Sequence, residues 1–211
     1  MPASELLTVG KPVERIDGAE KLTGAAQYTV DLALPEMLHA VILRAPHAHA
    51  RIKSIDTSRA LALPGVVAVM TQQEMPKTSI EGEDEAGGGQ GGAVYALTDI
   101  VRRVGDEVAA VAAETLDTAR RALALIAVEY ETLPAVLDPE AALQPNAPQV
   151  RSGGNLVGGR PMLLERGDLR AGFDEAVRTF SGHYETQVTS GSPLEPRATV
   201  AAWDEDGGLT V

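Results

Sequence analysis

Glu107–Glu131 reads EVAAVAAETLDTARRALALIAVEYE, and two changes of pattern within it decide the fold. EVAAVAA is a buried-strand run. Thr115 follows as a helix cap, and Ala119, Ala122, Leu123 and Ile126 recur at the spacing of one helical face. Asp117 stands in the first helical turn, where it suits the positive end of the helix dipole and can pair with Arg121 four residues on. IAVEYE then alternates apolar and charged residues, as a half-buried strand does. The stretch therefore predicts strand, helix, strand.

A second such unit lies upstream, from Ala50 to Met70: the strand ARIKSI, Asp56 as a cap, the short helix TSRALAL, a stop at Pro64-Gly65 and the strand VVAVM. Its DTSRALAL echoes DTARRALAL at 117, which suggests a repeat, although Ala, Leu and Arg are common helix formers in any sequence. AQYTV and MLHAVILRA are further strand candidates, separated by the turn-like DLALPE. Residues 81–92, EGEDEAGGGQGG, have the composition of an acidic, glycine-rich loop. Prolines 134, 139, 145 and 148 and glycines 153, 154, 158 and 159 mark residues 138–160 as a linker, with one helical turn at Pro139–Leu143. Beyond it, Asp168–Arg178 reads as partly helical, and His183–Val188 and Thr199–Trp203 as strands. DEDGG then signals a hairpin whose return strand has three residues, Leu209, Thr210 and Val211, so the sequence predicts that another polypeptide completes it.

Composition narrows the function classes. The chain has 211 residues with 18 Lys and Arg against 30 Asp and Glu, a net charge of −12 that arises wholly from residue 61 onward. A polyanion would be repelled, no basic stripe is present, and seven aromatic residues are too few for base-stacking platforms, so nucleic-acid binding is disfavoured. Apolar runs such as Val108–Ala113 and Val66–Met70 are strand-sized, far below the ~18 residues of a membrane span. The first residues have no basic region followed by an apolar stretch, and the expectation is a soluble, cytoplasmic protein without membrane contact. The absence of cysteine excludes disulfides, iron–sulfur ligation and thiolate zinc sites.

No motif, taken on its chemistry alone, makes a complete active site. Gly87, Gly89 and Gly92 match the spacing of a dinucleotide-binding loop, but Glu81, Glu83, Asp84 and Glu85 beside them would repel a pyrophosphate. His47 and His49 would share one face of an extended segment, as metal ligands do, yet no third ligand has matching spacing. His39 reads as a half-buried strand residue. Neither Ser181 nor Ser190 lies in a nucleophile elbow with His183. Glu195, between Leu194 and Pro196, is a candidate acid or base, or else an ion-pair partner of Arg197.

Two connected runs carry a family resemblance: VGKPVERIDGAEKLTGAAQYTVDLALPEMLHAVILRAPHAHARIKSIDTSRALALPGVVAVMT at 9–71 and VRRVGDEVAAVAAETLDTARRALALIAVEYETLPAV at 101–136. Together they resemble the N-terminal part, the α/β-hammerhead domain, of the molybdopterin-binding large subunit of the xanthine dehydrogenase/aldehyde oxidase family. ERGDLRAGFDEA and YETQVTSGSPLEPRATVAAWDEDGGLTV look like the start of that family's first molybdopterin-binding domain. The resemblance implies an α+β fold: a hammerhead domain of mixed sheet and short helices at 1–137, the linker 138–160, and an incomplete start of a molybdopterin-binding domain at 161–211. It implies a molybdenum hydroxylase that oxidises an aldehyde, a purine, another heterocycle or CO. In such an enzyme molybdopterin-bound molybdenum belongs to the complete subunit, and iron–sulfur clusters and FAD to partner subunits.

Two departures are informative. The family commonly carries a His shortly before its L-E-P motif, where this chain has Ser190-Gly191-Ser192-Pro193. The family's cofactor contacts begin with a glutamine just after the strand that Leu209 opens, so no residue of this chain is assigned as catalytic, cofactor-binding or metal-binding. The expected role is the structural and interface portion of such an oxidoreductase, as a fragment or split large subunit inactive alone, joined to the C-terminal molybdopterin-binding part. The alternatives are a stand-alone binding or assembly module without redox chemistry and a non-functional remnant.

Overall fold

The computed structural model describes residues 8–75, 97–150, 154–156, 161, 163–164, 166–193 and 195–211. The 81–92 segment, with Gly87, Gly89 and Gly92, lies outside them. The chain divides into two compact units, Glu36–Thr179 and Met1–Pro35 together with Phe180–Val211.

Among the described residues the larger unit contains six strands: β1 (His39–Arg44), β2 (Ala50–Asp56), β3 (Val66–Thr71), β4 (Ile100–Val101), β5 (Glu107–Ala113) and β6 (Ala127–Thr132). They form two antiparallel three-stranded sheets, ordered β1-β5-β3 and β4-β2-β6. Helices α2 (Ser58–Leu61) and α3 (Leu116–Leu123) link β2 to β3 and β5 to β6. The two strand-helix-strand units read from the sequence are therefore interlocked. The first strand of each pairs with the second strand of the other, β2 with β6 and β5 with β3, and α2 packs against α3. The echoed segments occupy equivalent places: Ala60 and Ala122 are both fully buried in one cluster, with Leu63 and Leu125 packed at its edge.

Local chemistry sets these elements. Thr115 caps α3 as expected, its Oγ1 accepting from Thr118 N at 3.1 Å, whereas the N-cap of α2 is Thr57, without a side-chain cap bond, and Asp56 one residue ahead accepts from Ser58 N at 2.9 Å. The turn into β3 needs a glycine. Gly65 has φ +86°, a conformation that L side chains rarely adopt, and its carbonyl accepts from Glu114 N at 2.9 Å. Two bulges, which the alternation did not reveal, re-aim side chains. Lys53 is the extra residue in β2, so Ile52 and Ile55 face the same way; Val67 does the same for Val66 and Val69 in β3. Without the bulges one isoleucine and one valine would turn to water.

Two small cores result. Ala60, Val111, Ala113, Ala119 and Ala122 lie between the helices and one face of the β1-β5-β3 sheet. Ala45, Ala50, Val101 and Val108 form the second, with Leu43, Ile52, Ile55, Val128 and Tyr130 against them. Alanine at the helix contacts permits close approach, and each buried valine contributes roughly 1.5–3 kcal/mol. In the 138–160 stretch, α4 (Pro139–Ala142) is capped by Asp138, whose Oδ1 accepts from Ala141 N at 2.6 Å. The Asn155 amide then gathers the chain: Nδ2 donates to the carbonyls of Ala142 and Pro148, and Oδ1 accepts from Val150 N. Asp168 caps α5 (Leu169–Asp174).

The smaller unit contains α1 (Gly18–Thr23), which the sequence reading missed, a 3-10 turn at Thr29–Asp31, and a hairpin of β7 (Ala202–Trp203) and β8 (Leu209–Thr210). AQYTV is not a strand, because the Asp31 carboxylate accepts from Tyr28 N at 2.9 Å and tightens the backbone into that turn. His183–Val188 is not a strand either. Tyr184 and Val188 are 93% and 98% exposed, and no described strand lies beside them to form a ladder. The DEDGG turn is present as expected, with Asp204 Oδ1 accepting from Asp206 N and Gly208 N.

Candidate functional site

The two histidines that share a face in an extended segment are given different partners. His49 is buried, and its Nδ1 lies 2.6 Å from the Pro134 carbonyl oxygen; its own carbonyl accepts from Leu133 N at 3.0 Å. It therefore ties the start of β2 to the end of β6. His47, two residues earlier, packs edge-on against the Tyr130 ring with centroids 4.7 Å apart. Burial pushes the Tyr130 phenol up from its usual range. Pro134 entered the sequence reading only as a linker marker and Tyr130 only within the alternation of IAVEYE, so neither was read as a histidine partner. A tyrosine at an inward position of an alternating strand, far along the chain from a histidine pair, carries no local signal of the contact. His39 begins β1, half-buried opposite Ala113.

A cleft of about 190 Å³ opens beside β2 and the end of β3, lined among others by Lys53, Thr57, Thr71, Glu74, Thr98 and Asp99. One of its two acids, Glu74, is already engaged. Glu74 Oε2 accepts from the Thr71 hydroxyl at 2.5 Å and from Thr71 N at 2.7 Å, and these two bonds hold its carboxyl below the usual range. The Thr98 hydroxyl donates to the Ile100 carbonyl. Glu74 is thus a turn lock rather than a free base. The most strongly displaced acid, Asp17, is held at about 2 by Lys21 and then Arg15, at the exposed start of α1.

The remaining candidates stand apart. Glu195 and Arg197 are both exposed and form no ion pair among the described residues. Ser181, His183 and Ser190 are exposed in a segment without regular structure. Among the described residues no three His, Cys, Asp or Glu side chains converge, and every buried side-chain nitrogen or oxygen has a partner. A pterin-linked molybdenum group requires convergent donors aimed into a cradle. No step of its chemistry is assigned to the described residues.

Comparison with known proteins supplies the context. The family model described as aldehyde oxidase and xanthine dehydrogenase, a/b hammerhead domain, matches residues 23–134, and that of the molybdopterin cofactor-binding domain matches residues 154–211. A probable xanthine dehydrogenase subunit of Bacillus subtilis (strain 168) is 36% identical over 209 residues, which are 97% of this chain and 27% of that protein. The nicotinate dehydrogenase large molybdopterin subunit of Eubacterium barkeri is 34% identical over 206 residues, 96% of this chain and 46% of that protein. The solved aldehyde oxidoreductase from Desulfovibrio gigas superposes with a TM-score of 0.60 at 34% identity, covering 66% of this chain and 16% of that one. The chain spans between about a quarter and just under half the length of these curated relatives.

Proposed function

We propose, since the chain belongs to the aldehyde oxidase and xanthine dehydrogenase family, that it serves as the structural and interface portion of a molybdenum hydroxylase large subunit. The observation that carries this reading is the hammerhead match, together with a described structure whose polar side chains are spent on turns, caps and strand ties. In the complete enzyme the bound molybdopterin group would supply the chemistry, insertion of a water-derived oxygen at a carbon of an aldehyde or N-heterocycle with two electrons passed onward. This chain's contribution is to fold, to present surfaces and to hold the remaining polypeptide in place.

On this reading residues 1–137 are the hammerhead domain, 138–160 a linker and 161–211 the beginning of a molybdopterin-binding domain. The partners are the C-terminal molybdopterin-binding part and iron–sulfur and flavin subunits; this chain has no cysteine, so the iron–sulfur ligands lie in another domain or subunit. The setting is the cytoplasm, and no described helix is long and apolar enough to cross a membrane. The test is purification of the chain from its native host, with mass spectrometry of what accompanies it and metal analysis for molybdenum. Recovery with a molybdopterin-binding polypeptide and stoichiometric molybdenum is expected, while the chain alone should carry neither molybdenum nor dye-reducing activity. A chain that purifies alone and is not depleted from any such complex overturns the reading.

A further inference from the structure

The β1-β5-β3 sheet turns one face toward the helices, and two rows of its other face are apolar as well, bounded at one end by the Arg44–Glu107 ion pair. The register places Ala40, Ala112 and Ala68 in one row across that outer face, and Ile42, Ala110 and Met70 in the next. Ile42 and Met70 are 44% and 41% exposed, and the bulged Val67 beside them is 55% exposed. We propose that this outer face is a docking surface for another part of the same large subunit, whose bulky aliphatic or aromatic side chains seat on the alanine rows between Ile42 and Met70. The proposal rests on the large-subunit reading above.

Three observations select that occupant. An antiparallel sheet with one wet face alternates apolar and polar residues along each strand, and HAVIL, VAAVAA and VVAVM do not; such strands belong to a sheet covered on both sides. A second copy of this chain is a poor cover. Three strands spaced by about 4.8 Å, with about six residues rising 3.4 Å each, offer roughly 300 Å², against the ~800 Å² per partner that a stable interface needs. The net charge of −12 adds repulsion between copies. By contrast, the relatives carry 73% and 54% of their length outside the stretch this chain matches, so cover from the same subunit is available to them without a new association. A surface too small to hold a free partner is sufficient when the partner is held by the rest of the subunit.

The chain's lack of cysteine makes the test direct. Single variants Ile42→Cys and Met70→Cys place a thiol on the face, and Leu61→Cys places one on α2, exposed and away from it. Each is labelled with a maleimide in the isolated chain and in the assembly recovered from the native host, and Met70→Cys is also coupled to a maleimide photocrosslinker. Labelling of the two face thiols should slow at least tenfold in the assembly and that of Leu61→Cys should not, with the crosslink landing on the molybdopterin-binding polypeptide. Unchanged labelling in a recovered assembly, or a crosslink to another subunit or a second copy, overturns this proposal and leaves the proposed function standing. Failure to recover any assembly overturns the proposed function, and this inference with it.

Discussion

The two three-stranded sheets meet water differently. Across β2 and β6 the outward positions carry Arg51, Ser54, Glu129 and Glu131, paired across the strands, with Arg51 Nε 4.0 Å from Glu131 Oε2 and Ser54 Oγ 3.4 Å from Glu129 Oε2. Ile52, Ile55, Val128 and Tyr130 point inward. That sheet is complete when one face is covered. The β1-β5-β3 sheet has no polar side chain in the two outward rows defined by Ala40 and Ile42, although the chain as a whole has 48 charged side chains to place. The difference teaches that charge on the first sheet's outer face is confined to the Arg44–Glu107 pair at one end, and that the rows beside it are apolar for a reason the isolated chain does not contain.

The largest effect tests the two faces of β5 through neighbouring residues. Val111 is fully buried under the helices, and Val111→Asp would leave an unpaired carboxylate there at a cost of several kcal/mol, ~4 or more, comparable with the whole stability of a domain this size. The expected outcome by circular dichroism is loss of the cooperative thermal transition. Ala112→Asp, one residue on and on the opposite face, should stay within about 1 kcal/mol of the parent in the isolated chain. Equal damage from both would mean that the outer face is already covered.

Next in size is the tie at the end of the second sheet. His49→Ala removes the contact with the Pro134 carbonyl and opens a small cavity, for about 2 kcal/mol by denaturant midpoint. His47→Ala removes an edge-on ring contact and should cost less, about 0.5–1 kcal/mol. With their partners already assigned, zinc at micromolar concentration should leave the melting temperature unchanged. A zinc-dependent rise abolished by either variant would restore the metal-ligand reading.

How much of this was legible beforehand follows from where the information resides. β5, α3 and β6 were readable because periodicity, a threonine cap and alternation are local properties of Glu107–Glu131. Asp56 announced a helix start for the same reason, as did the proline at 139. The bulges at Lys53 and Val67 were not readable, since an extra residue is defined by its partner strand and not by its own neighbours. The crossing of β2 to β6 and β5 to β3 was equally hidden: each strand-helix-strand unit reads as self-contained, and the pairing is a choice between units. His183–Val188 has a strand's composition but lacks a described neighbour, and composition cannot supply one. At the candidate site, the histidine pair was visible while its contacts with Tyr130 and Pro134, the latter 85 residues from His49, were not.

A smaller effect concerns the turn that leads into β5. Asp106 Oδ2 accepts from Arg102 N at 2.7 Å and Arg103 N at 3.2 Å, and Oδ1 from Arg103 Nε at 2.8 Å. Burial, the largest single influence, works to raise its pKa, but these bonds and the guanidinium charge together outweigh it and hold the carboxyl below its usual range. A group whose folded pKa is depressed contributes stability above its unfolded value, near 4, and loses that contribution as pH falls through the folded value. Asp106→Asn should therefore cost about 1 kcal/mol at neutral pH, and the gap to the parent should close progressively below pH ~4. A gap independent of pH would show that the carboxylate's charge is not what the turn uses.

The smallest effect is the most pointed test of the contrast between the sheets. Arg51 and Glu131 are 56% and 50% exposed, so their pairing gains little Coulomb energy in water and is screened by salt. A double-mutant cycle with Arg51→Ala and Glu131→Ala should give a coupling of about 0.2–0.5 kcal/mol, vanishing in high salt. If these charges exist to keep the face wet rather than to stabilise the sheet, replacing them with apolar residues, Arg51→Ile with Glu131→Val, should leave the melting temperature nearly unchanged. It should instead make the chain self-associate at concentrations where the parent is monomeric, because β6 is an edge strand that would then present an uncharged surface beside unpaired backbone groups. The outer face of the first sheet already has that composition. Self-association of the parent at those same concentrations would show instead that a second copy covers that face, against the inference drawn from it.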